Sequence, residues 1–109
     1  MLSPEKQAKI LEYFGKLQEH VKNDYLRWGN NSEYAQANIP QLSLSEGKRF
    51  VKIIVTDLHG NARSVFGFIE KETGLVWKAA SYKAPALNFP RGNINDQTGL
   101  DCARWTGIG

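Results

Sequence analysis

The sequence predicts a single α+β domain over residues 1–109: one long N-terminal helix packed on a three- to four-stranded, mostly antiparallel sheet, with an irregular glycine-rich C-terminal tail. Three observations carry this. Ile10, Phe14, Leu17, Val21, Tyr25 and Trp28 recur at the steps of three and four that line one helix face. From Arg49 onward the pattern changes to short β-branched and aromatic runs separated by turn residues. A chain of 109 residues with 41% hydrophobic and 23% charged side chains has the size and composition of a domain with one core.

The helix is expected over residues 4–28. Ser3 serves as N-cap, Pro4 takes the first position, where a missing N–H costs nothing, and Glu5 faces the macrodipole. Gly29, followed by Asn30 and Asn31, reads as a left-handed C-cap. Gly15 inside the helix costs up to about 1 kcal/mol relative to alanine, which suggests close packing against the sheet. Residues 30–47 are polar, include Pro40 and show no sustained period, so they read as a linker with a short helical turn at 33–37.

A β-meander is expected over residues 49–81. Residues 49–56 form a strand covered in part on both faces, 63–70 a second and 75–81 a third, with a tight turn at 71–74 ending in Gly74. The apolar stripe of the helix is the cover such a sheet needs. Residues 82–109 read as an ordered loop and tail. Pro85 and Pro90 cannot donate to a ladder, so this part is a loop or an edge, while Ile94, Leu100, Trp105 and Ile108 dock the tail and supply a short fourth strand.

Composition excludes several classes of function. Cys102 is the only cysteine, so an intrachain disulfide and a cysteine-rich zinc site are ruled out and a reducing compartment fits. The N-terminus lacks the basic and apolar regions of an export signal, and no apolar run approaches the roughly 20 residues that span a bilayer. The expectation is a cytoplasmic protein without a membrane partner. Residues 1–47 hold five basic and six acidic groups, whereas 48–109 hold nine basic and five acidic, so the sheet half is the side an anion prefers.

No catalytic constellation stands out. His20 and His59 read as solvated or locally hydrogen-bonded, and a Cys102–His59 nucleophile pair lacks an orienting group and an oxyanion donor. Walker, dinucleotide, zinc-protease and calcium-loop patterns are absent, and residues 92–99 read as a turn. The expectation is a protein that is not an enzyme, with no metal and no cofactor.

The most unusual stretch is residues 77–94. Lys78, Lys83 and Arg91 are interleaved there with Trp77, Tyr82 and Phe89, without one acid. Cations neutralise phosphate while aromatic faces stack on bases, the means by which single strands and nucleotides are held without sequence reading. The competing reading makes Trp77 and Phe89 core, leaves the lysines solvated and ties Arg91 to backbone carbonyls. Strand alternation sets Lys78 beside small residues that leave room for a ligand, and the two prolines stiffen the loop.

Residues 48–95 resemble a group of small uncharacterised proteins encoded by bacteriophages. The pattern stands here as Arg63-Ser-Val-Phe-Gly-Phe-Ile69, Gly74-Leu-Val-Trp-Lys78, Tyr82-Lys-Ala-Pro-Ala86 and Arg91-Gly-Asn-Ile94, with Leu87 where a polar or basic residue is usual. The resemblance implies a phage origin, action in the host cytoplasm, and binding to nucleic acid, a nucleotide signal or a host protein. The leading expectation is a non-enzymatic accessory protein that binds single-stranded nucleic acid or a nucleotide through Lys78, Tyr82, Lys83, Phe89 and Arg91. The alternative is a protein-interaction module that self-assembles into a homo-oligomer or inhibits a host protein through its helix or an open sheet edge.

Overall fold

Helix α1, Pro4–Trp28, is the longest element of the computed structural model, which describes residues 3–56, 61–100, 103–104 and 107–108. Its start is as the sequence dictates: the Ser3 side chain accepts from the Lys6 N–H at 3.2 Å, with Pro4 and Glu5 in the first turn. The buried stripe is Ile10, Tyr13, Leu17, Val21 and Tyr25, so Tyr13 takes a place expected of Phe14, which is only half-buried. Trp28 is 64% exposed, not buried. A helix of 25 residues is about 37 Å long, whereas the longest strand, of nine residues, spans about 30 Å.

The C-cap also differs from expectation. Gly29 has φ −85°, and the left-handed residues are Asn30 and Asn31 at 55° and 53°. Glycine is needed at 29 for proximity instead, because a Cβ there would lie 2.5 Å from that of Ala35 in α2, Glu33–Ala37. Gly15 is corrected as well: nothing lies within 4 Å of its Cβ position, so it does not pack against the sheet.

Residues 30–47 are more than a linker. They contain α2, capped by Ser32, and the strand β1, Gln41–Glu46. Leu42 and Leu44 alternate with Ser43 and Ser45, a period-2 pattern too short and too weak in β-propensity to stand out between polar neighbours. β1 pairs antiparallel with β2, Phe50–Thr56, followed by β3, Ala62–Glu70, β4, Leu75–Lys78, and β5, Gly92–Asn93, in the order β1-β2-β3-β4-β5. The protein is thus α+β as expected, but its sheet has five strands, and the third strand of the meander stops at Lys78 instead of continuing to 81.

The sheet buries one face against α1. Leu42, Val51, Ile53, Phe66, Ile69, Val76 and Ile94 meet the helix stripe there. A register shift sets Ile53 opposite Gly67 and Ile54 opposite Val65, so Phe66 is the extra residue of a bulge and turns into the core. A separate ribbon, β6 (Ala103–Arg104) with β7 (Gly107–Ile108), closes the core from the side. Ile108 occupies the space that Gly67 leaves, its Cδ1 being 2.5 Å from where a Cβ would stand. His20 Nε2–H donates to the Ala103 carbonyl at 2.9 Å, a long-range tie in place of the solvated or local histidine expected. His59, Cys102 and Trp105 lie outside the described residues.

Residues 92–99 form a turn closed on itself. The Asn93 N–H donates to Thr98 Oγ1 at 3.1 Å, the Thr98 N–H donates to the Asn93 carbonyl at 3.1 Å, and Gly92 lies directly against Gly99. The crossing delivers Ile94 to the core, where it is 1% exposed.

Candidate functional site

The pleat sends every second residue of the sheet to the face away from α1. Phe50 and Lys52 of β2 stand there, in register with Glu70 and Phe68 of β3, and Phe68 with Trp77 of β4. Phe68 is 2% and Trp77 9% exposed, so this second face carries a small core of its own. Phe50 meets Phe68 edge-on at 5.9 Å, and the Arg49 guanidinium lies 5.0 Å over Phe50.

Glu70 holds this cluster together. It accepts from Trp77 Nε1 at 3.2 Å and Thr73 Oγ1 at 3.1 Å with one oxygen, and from Arg49 at 3.1 and 3.3 Å with the other. Burial pushes its pKa up, but the hydrogen bonds from Arg49, Thr73 and Trp77 with the Arg49 charge more than offset that, leaving it below the ordinary carboxylate value.

Beyond Lys78 the chain turns back on itself. The Ala86 N–H donates to the Lys78 carbonyl at 2.7 Å, and Ala80 and Ser81 donate to Ala84, which makes a short irregular hairpin with Tyr82 and Lys83 at its tip. The strand path is regained where the Arg91 N–H donates to Val76 at 2.7 Å. Pro85 and Pro90 thus sit on a sheet edge, where the lost donors do no harm.

The expected site residues separate into three positions. Tyr82, 51% exposed, is joined by Lys52, whose ammonium lies 4.4 Å over the ring. Phe89, 57% exposed, is covered on one side by the Arg91 guanidinium at 3.7 Å, which also donates to the Phe89 carbonyl and to Asn88. Lys78 shares the pleat side of Val76, the helix side, and is turned away from the face that carries Lys52 and Tyr82. Of the competing reading, the structure bears out a buried Trp77 and an Arg91 tied to a carbonyl, and it places Phe89 outside the core.

Lys52 is the residue that the sequence pattern did not single out. Alternation along β2 puts it on the side of Phe50, opposite Phe68, and that register was the signal available. A groove of ≈ 320 Å³ opens beside it where β3 and the chain after β4 diverge, lined by Ser64, Val65, Ala79, Ala80, Ser81 and Tyr82. Apart from Val65 and the Tyr82 ring, its lining is of small side chains. Among the described residues no group of three or more His, Cys, Asp or Glu could hold a metal ion, and no helix is long and apolar enough to cross a membrane.

These features define a helix-on-sheet α+β protein that carries an open face of paired cations and aromatic rings. The chain belongs to the family of unknown function DUF7717, whose model matches residues 3–108. No curated protein and no solved structure matches it.

Proposed function

We propose that this protein is a non-enzymatic binder of single-stranded nucleic acid or a nucleotide, an accessory protein of phage type that acts in the cytoplasm. The observation that supports this most strongly is the Lys52 ammonium stacked on exposed Tyr82, which lines a groove together with small residues. A base stacks on the ring while the cation meets the adjoining phosphate. Lys83 beside Tyr82, and the Phe89–Arg91 pair further along the same segment, repeat that combination. Lys78, on the other pleat side, is not part of this surface.

The test is fluorescence anisotropy of a labelled oligothymidylate across a salt series. Replacing both Lys83 and Arg91 with alanine should weaken binding about tenfold at low salt and reduce the slope of log K against log salt by roughly 1.4, about 0.7 for each lost phosphate contact. Tyr82→Ala should weaken binding at every salt concentration with the slope unchanged, because stacking releases no counterions. Unchanged affinity in folded variants would remove this site.

A further inference from the structure

β1 forms one edge of the sheet, and among the described residues nothing pairs with its outer side. The opposite edge is blunted by a two-residue strand, a hairpin and two prolines, whereas β1 runs six residues without proline, lysine or a bulge. The direction of its backbone groups follows from its neighbours. Gly47 N–H donates to the Phe50 carbonyl and Lys71 N–H to the Arg49 carbonyl, so Phe50, Lys52, Ile54 and Thr56 face β1, where their partners are Gly47, Ser45, Ser43 and Gln41. The N–H and C=O groups of Leu42, Leu44 and Glu46 therefore point outward.

We propose that this edge pairs antiparallel with β1 of a second copy of the chain, about a two-fold axis through Leu44. In that register Leu44 meets its own counterpart, Leu42 meets Glu46 of the other copy, and Ser43 lies beside Ser45. All the outward backbone groups of both strands are satisfied together. No like charges meet, because β1 has a single charged residue, Glu46, which lies away from the axis and is held by Lys71 at 2.9 Å. The strand is compatible with itself as it stands, which is the condition a two-fold interface imposes.

The helix flank beside β1 supports the same occupant. Gly15, Gln18 and Lys22 border a groove of ≈ 420 Å³ with Pro40 and Gln41 at the start of β1. At the other end, Lys6 donates to the Glu72 carbonyl and Lys71 reaches Glu46, so the first turns of α1 and the end of β1 converge on the β3–β4 turn. Leu11, one step of four before Gly15 on that stripe, thus lies alongside the middle of β1. It is 56% exposed, a large apolar side chain with no cover in one copy. The axis that relates the two Leu44 residues brings the two Leu11 side chains to one seam, and Gly15, with open space around it, leaves room for the second chain.

Sedimentation velocity over a concentration series tests this, together with hydrogen exchange at the same concentrations. The full chain should reach twice its 12.3 kDa mass, with slower exchange at the Leu42, Leu44 and Glu46 amides as dimer forms. Leu11→Glu changes an exposed position that folding does not need, and should weaken association by about tenfold or more. Leu44→Pro deletes the outward N–H at the axis and should give monomer. Should the proline variant fail to fold, Leu11→Glu and the exchange pattern still decide. A chain that stays monomeric up to several hundred micromolar overturns the proposal and leaves the edge to a strand from another protein. So does a dimer that is indifferent to Leu11→Glu and protects none of these amides.

Discussion

Replacement of Glu70 by alanine should cost the fold about 3 kcal/mol in urea unfolding, far more than one carboxylate on an open sheet face would. Glu70 is 7% exposed and its carboxylate accepts from three side chains. Its loss strands the indole N–H of Trp77, whose hydrogen bond to Glu70 is buried. The Arg49 share is small, because that side chain is 63% exposed and rehydrates when its partner goes. Thr73 matters more, since its hydroxyl also accepts from the Leu75 N–H at 3.2 Å and so links Glu70 to the start of β4. Glu70→Gln keeps an acceptor for Trp77 and should cost less.

The same pair of variants fixes the pH dependence. Glu70 has a lower pKa folded than unfolded, so its stabilisation is fully present above the unfolded value of about 4.3 and is lost as pH falls through the lower, folded value. The stability difference between the native chain and Glu70→Gln should accordingly be constant near neutrality and shrink in acid. Urea midpoints from pH 7 down to pH 3, with circular dichroism as the probe, would show this. A difference that grows on acidification would mean that the carboxylate is destabilised, not stabilised, by its neighbours.

Gly92→Ala should be comparably damaging, on the order of 3 kcal/mol, for a reason of pure geometry. A Cβ at 92 would collide with the Thr98 carbonyl oxygen and lie 2.8 Å from the Gly99 Cα. Both are backbone atoms, so no side-chain rotation relieves the overlap. The variant must open the 92–99 turn, which withdraws Ile94 from the core and frees the edge beside β4. Thermal unfolding should register the full loss. The Gly92→Ala chain should also bind oligothymidylate more weakly, since Arg91 is the adjoining residue. Native-like stability would show that the two glycines do not cross.

What could be read from the sequence follows the range over which each signal acts. Helix α1 is legible in its bounds because its N-cap and its period are local, whereas Tyr13 in place of Phe14 and the exposed Trp28 depend on what the helix packs against. β2 and β3 were visible from β-branched runs. β1 was not: two leucines between serines announce a strand only once β2 is known to lie alongside. Lys52 is the parallel case at the site, since a lysine in an apolar strand becomes half of a stacked pair only when a turn two strands away returns Tyr82 to it. Lys78 shows the reverse. Its chemistry suited the expected surface, and the pleat directed it to the other side. The ribbon of β6 and β7 was foreseen only as a docked tail, because two-residue strands carry no period.

The tie between His20 and Ala103 spans 83 residues of chain. Such a contact adds a long closure to a sheet whose strands otherwise pair with their sequence neighbours, and the entropy of closing so long a loop must be met before the contact contributes anything. α1 is synthesised first, yet most of the stability of a helix in a protein comes from packing its apolar stripe. Its stripe finds a complete partner surface after β5 and the ribbon are in place. Assembly of this chain is therefore expected to be one late, collective event, in which the earliest element to be made is among the last to be secured.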